Sequence, residues 1–124
     1  AQAVNYANGQ PLLCAMQSVS ECVAGQACNS VMPGDVNLPT FFIVDPATRL
    51  LVSTADSAIQ RKTLIEYNER LDGKLILQGA DDGMEGVPDG VGWTMAINEQ
   101  TGKLVLSAAG DAFAVVGFGA CTLR

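Results

Sequence analysis

Apolar and polar residues alternate along several short stretches of the chain, most clearly in Trp93-Thr94-Met95-Ala96-Ile97-Asn98. A repeat of two puts Trp93, Met95 and Ile97 on one face and their neighbours on the other, as in a strand with one buried side. The same segment leads through Asn98-Glu99-Gln100-Thr101-Gly102 into Lys103-Leu104-Val105-Leu106-Ser107, so turn residues sit between two strand-like runs. Ile65-Glu66-Tyr67 runs through Leu71-Asp72-Gly73 into Lys74-Leu75-Ile76-Leu77-Gln78 in the same way, with a strand expected over Leu64 to Glu69. Phe41-Phe42-Ile43-Val44, the turn set Asp45-Pro46-Ala47-Thr48 and Leu50-Leu51-Val52-Ser53 form another hairpin.

Leu12 to Val19 is expected to be the first strand, followed by a Cys22 to Cys28 loop, and Phe113 to Cys121 the last. Gly117 and Gly119 in that last strand remove side chains and so lean towards interior space. Residues 30–40, with Pro33-Gly34 and Pro39, predict an ordered connection, and residues 1–10 a loosely ordered N-terminal segment. One segment departs from the strand pattern. Ser57-Ala58-Ile59-Gln60 fits a capping box and predicts a short helical turn near residues 57–62. Together the elements predict an all-β, single-domain antiparallel meander, as a small up-and-down β-barrel or, alternatively, a β-sandwich.

Glu21-Cys22, Asp35-Val36-Asn37-Leu38-Pro39 leading to Phe41-Phe42, and the terminal Phe118-Gly119-Ala120-Cys121-Thr122 resemble a group of exported proteobacterial proteins of unknown function. The resemblance covers most of the chain. It implies export and implies no activity or site residues.

Cysteine usage points the same way. Cys14, Cys22, Cys28 and Cys121 are an even set with neither the close pairs of a zinc site nor a Cys-x-x-Cys redox motif. Two disulfides in an oxidising compartment follow, the bacterial periplasm or the exterior, and the opening Ala1-Gln2-Ala3 suits a mature exported chain. First and last strands of a closed meander are neighbours, so Cys14–Cys121 with Cys22–Cys28 is the preferred pairing.

Charge narrows the function. The 124 residues hold 7 Lys+Arg against 13 Asp+Glu, a net charge of −6, and no basic residue precedes Arg49. A chain so acidic has little with which to bind nucleic acid or an anionic membrane surface. No apolar run is long enough for a membrane-spanning helix. The sequence holds no histidine, which removes Ser-His and Cys-His nucleophile chemistry.

Two acidic features carry candidate chemistry. Asp81, Asp82, Glu85 and Asp89 lie in the glycine-rich stretch Gly79–Gly92, where a hard cation such as calcium would relieve their repulsion. The spacing misses the EF-hand template, and a solvated acidic loop is the simpler reading. Apart from calcium there, no cofactor is expected. Glu66 and Glu69 form a carboxylate pair of the kind a hydrolase uses, yet on one strand they face opposite sides.

The aromatic residues remain. Trp93 is either a core anchor or a wall of a pocket at the barrel mouth, and of Phe41 and Phe42 one points inwards and one outwards. The leading expectation is a non-enzymatic binding protein for a small apolar molecule or a protein partner, with Trp93, Tyr67 and Phe41 or Phe42 at the pocket. The alternatives are an accessory subunit or inhibitor docking through its loops, and a carboxylate-only hydrolase. What the barrel interior holds decides between them.

Overall fold

The computed structural model describes residues 9–82 and 90–124. They form ten strands: β1 (Leu12–Val23), β2 (Asn29–Val31), β3 (Phe41–Asp45), β4 (Leu50–Ser53), β5 (Lys62–Leu64), β6 (Tyr67–Leu71), β7 (Lys74–Asp81), β8 (Val91–Asn98), β9 (Lys103–Ala109) and β10 (Phe113–Leu123). All belong to one antiparallel sheet in the order β5-β4-β3-β1-β10-β9-β8-β7-β6, with β2 pairing β1 beside this path. The sheet curls about an axis into a half-barrel, so the meander expectation holds and two packed sheets do not form.

The turns that join the strands use the local chemistry expected of them. Asp72 and Gly73 both have positive φ, as a two-residue hairpin turn needs, and Leu71 pairs directly with Lys74. In the β8–β9 turn the Asn98 side-chain oxygen accepts from the amides of Gln100 and Thr101 at 2.9 and 3.0 Å. Between β3 and β4 the Asp45 carboxylate accepts from the Ala47 amide at 3.0 Å.

The edge strands β5 and β6 are separated only by Ile65 and Glu66, so one bent stretch of chain supplies both edges. It is stitched on both sides. The Ile65 amide donates to the Arg49 carbonyl at 2.8 Å, towards β4, and the Glu66 amide to the Gln78 carbonyl at 2.9 Å, towards β7. The Arg49 guanidinium also donates to the carbonyls of Ile65 and Glu66, at 3.1 and 3.2 Å. The single strand expected over Leu64 to Glu69 is thus two strands meeting at a bend that turns Ile65 fully inwards.

β1 carries a register shift between Met16 and Ser18. Before it the even residues Leu12, Cys14 and Met16 face inwards; after it the odd residues Val19 and Glu21 do. A β-bulge has this effect because one extra residue reverses the parity of everything that follows. Cys14 therefore lies inside, opposite Cys121 of β10, and the two are disulfide-bonded with Cα atoms 4.0 Å apart. The second disulfide, Cys22–Cys28, closes the β1–β2 hairpin.

Two expectations need correction. No helix forms at 57–62. The Ser57 hydroxyl bridges only to Ile59, accepting from its amide at 3.2 Å and donating to its carbonyl at 2.8 Å. Residue 61 is already paired with Ser53, so the chain has no length for a helical turn before β5. The single 3-10 turn among the described residues is Pro33–Val36. The second correction concerns Gly117 and Gly119, which do not open space. A Cβ at Gly117 would fall 2.2 Å from Met16 Cε, and one at Gly119 would fall 2.1 Å from the Ala15 carbonyl oxygen. Those positions are occupied by a side chain and by the bulged backbone of β1. The expectation for residues 1–10 falls largely outside the described residues.

Candidate functional site

The two ends of the half-barrel are filled differently. At the end holding the starts of β1 and β7, Leu12, Val44, Leu75, Ile97 and Leu104 are essentially inaccessible and close the core. At the other end, where β4 and β7 stop and β8 and β10 begin, a cavity of about 510 Å³ remains. That volume lies within the range of pockets that take a small organic molecule.

Phe42, Met95 and Leu106 line the cavity as buried residues, and Trp93, Ala108, Phe113 and Val115 form further apolar wall. Val36, Leu38 and Pro39, from the 3-10 turn and the chain after it, cover one flank. This is the ordered connection expected at residues 30–40. Of β3, only the stretch Phe41–Ala15 to Val44–Leu12 pairs with β1, so the upper part of β1 meets β2 instead and the covering segment crosses between them.

The position of Trp93 follows from two neighbours. Its indole N–H donates to the Thr63 hydroxyl at 3.3 Å, and that hydroxyl donates to the Ala80 carbonyl at 3.2 Å. Gly79 supplies the room: a Cβ there would come within 2.6 Å of both the indole Cζ2 and the Leu64 carbonyl oxygen. The indole thus packs where β5 and β7 approach, serving as core anchor and cavity wall together.

Polar groups sit among the lining residues. Arg61 and Asp81 form an ion pair, and Arg61 donates further to the Asn37 carbonyl at 3.1 Å. The buried Ser53 hydroxyl accepts from the Arg61 amide at 2.9 Å and donates to the Arg61 carbonyl at 3.2 Å. Glu21, half-buried, is the other charged residue among the described lining residues.

The aromatic candidates separate. Trp93 and Phe42 line the cavity. Phe41 points outwards, 51% exposed, beside a shallow groove bordered by Leu38, Thr54 and Ile59. Tyr67 is on the outer face of β6, where its hydroxyl donates to the Glu69 carboxylate two residues on. That bond holds the Tyr67 phenol above its ordinary pKa, with slight desolvation and the Glu69 charge adding to the effect.

Of the four acidic candidates, two fall among the described residues. Asp81 is engaged by Arg61, Asp82 is exposed, and Glu85 and Asp89 lie outside the described residues. Among the described residues no three cysteine or acidic side chains converge as metal ligands would. Glu66 and Glu69 are both exposed, Glu66 in the bend and Glu69 on β6, and neither lines the cavity.

Glu21, Arg61 and Phe113 were not legible as site residues in the sequence. Only Glu21 leaves a trace there, in the switch of apolar positions from Leu12, Cys14 and Met16 to Val19. No known protein family, curated protein or solved structure matches the chain.

Proposed function

We propose that the chain is an exported, non-enzymatic binding protein that takes a small, largely apolar molecule into the cavity beside Trp93. The observation that carries this reading is the contrast between the packed end of the half-barrel and the 510 Å³ left at the other. Leaving such a volume unfilled forgoes dispersion and burial that larger side chains would supply, a cost that ligand binding explains. Residue chemistry around the cavity supports binding over catalysis, since the Ser53 hydroxyl is taken up by backbone groups and Arg61 is ion-paired. Export is supported by the two disulfides, which persist in oxidising compartments.

Trp93 is the sole tryptophan, so its fluorescence reports on the cavity directly. Small apolar compounds should quench or shift that emission in a saturable way and raise the melting temperature. At a concentration 100 times the Kd, the stabilisation is about 2.7 kcal/mol. Ala108→Leu, which fills the space beside Trp93, should abolish both effects while the variant stays folded. A compound set that moves neither signal, or an Ala108→Leu variant that binds equally well, overturns the reading.

A second reading, an accessory subunit or inhibitor docking on a larger protein, draws on the exposed Phe41 ring and its groove. Phe41→Ser would then weaken the partner complex and leave small-molecule binding unchanged.

A further inference from the structure

We infer that the cavity selects molecules whose apolar body carries a cationic head, and that Glu21 holds that head. The inference rests on the cavity being a ligand site, as proposed above, and deepens that reading by naming the ligand class.

Glu21 reaches the cavity only because of the bulge in β1. Were Gln17 paired regularly instead of bulged out, strict alternation from Leu12, Cys14 and Met16 would turn Glu21 outwards. With the bulge, Glu21 stands opposite Val115 and follows the buried Val19 on the inner face. Neighbouring inward positions are apolar, and an apolar residue at 21 would continue that wall without bringing in a charge. The acid is therefore a poor choice for packing.

Among the described residues its charge is also uncompensated. Arg61, the sole cation among the described lining residues, is committed to Asp81 and to the Asn37 carbonyl. No hydrogen bond or ion pair reaches the Glu21 carboxylate among the described residues. The charged groups of the described lining, Glu21, Arg61 and Asp81, thus sum to one net negative charge beside an apolar wall. Low-dielectric walls strengthen the attraction of such a charge for an ammonium and its repulsion of a carboxylate. The chain's net charge of −6 acts in the same direction at long range. Fatty acids are disfavoured on both counts, and alkyl or arylalkyl ammonium compounds are favoured.

The test is a matched titration of the full chain with decylammonium, 1-decanol and decanoate, all below their aggregation limits, followed by Trp93 fluorescence and thermal shift. The expected order is decylammonium tightest, decanol roughly tenfold weaker and decanoate weakest, with the amine preference shrinking as salt rises. Glu21→Gln should bring decylammonium and decanol to equal affinity while decanol binding stays at its original value. The melting temperature and circular dichroism of the unliganded variant show that it folds. Equal binding of amine and alcohol by the native chain overturns the charge inference and leaves the cavity reading standing. An amine preference that survives in Glu21→Gln does the same, since the acidic surface rather than Glu21 would then be its source. Failure of all three compounds to bind overturns both.

Discussion

The indole N–H of Trp93 donates to the Thr63 hydroxyl across the line where β5 and β7 approach, at 3.3 Å. Because Thr63 passes its own proton on to the Ala80 carbonyl, one side chain ties β8 to β5 and β5 to β7. Thr63→Val keeps the shape and removes both bonds. It should lower stability by about 1 kcal/mol, the net worth of a hydrogen bond lost at a partly buried site. Trp93 emission should move with it, and chemical denaturation followed by fluorescence measures both.

Gly79→Ala tests the other support of the indole. The new methyl would lie 2.6 Å from Trp93 Cζ2 and equally near the Leu64 carbonyl oxygen, which belongs to the backbone and cannot rotate away. A loss of about 2 kcal/mol or more is expected from this overpacking. An unchanged midpoint in denaturant would show that β5 and β7 are less closely apposed.

The two disulfides should differ in worth. Cys14–Cys121 closes a separation of 107 residues and Cys22–Cys28 one of 6. Loop-closure entropy makes the first worth about 5 kcal/mol and the second about 2 kcal/mol. Paired Cys→Ala replacement at each bridge, followed by thermal unfolding, should give that order.

Deleting Gln17 should be tolerated, because it is the one residue of β1 that the pairing with β10 skips. The deletion removes only the residue that β10 leaves unpaired, so Leu12, Cys14, Met16, Val19 and Glu21 stay on one face in simple alternation, and denaturation should show a loss below about 2 kcal/mol. Gln17→Ala changes only an exposed side chain and should stay within about 0.5 kcal/mol of the native chain.

Tyr67 gives a pH prediction. Its hydrogen bond to Glu69 stabilises the neutral phenol, so the folded-state pKa lies above the unfolded one. The linked stability is complete below the unfolded pKa and is lost as pH climbs through the raised folded value. Ultraviolet titration should show one tyrosine ionising late, and Glu69→Gln should return it to the ordinary range. Tyr67→Phe identifies the residue by removing that step.

Period-two alternation and turn residues are local properties, which is why the strands from Phe41 to Ser53 and from Lys74 to Ser107 could be read directly from the chain. The Cys14–Cys121 bridge was legible for a related reason: in a meander that curls, the first and last strands become neighbours, and the paired cysteines need no further information. Where a local pattern competes with pairing elsewhere, the sequence misleads. Ser57 offers a helix start, but Arg61 must already pair with Ser53. Adjacency made Phe41 and Phe42 point opposite ways; which of them entered the core depended on the register that sets Phe42 beside Cys14. The cavity is the furthest from local reading. It is the volume left when side chains from β1, β3, β8, β9 and β10 meet, and Gly117 and Gly119, which looked like openings, are filled by Met16 and Ala15. Glu21 faces that volume because a single extra residue in β1 reverses the strand's parity, and only the pairing of β1 with β10 shows where that residue lies. Strand identity was thus settled by residues a few positions apart, whereas the site was settled by packing among residues separated by most of the chain.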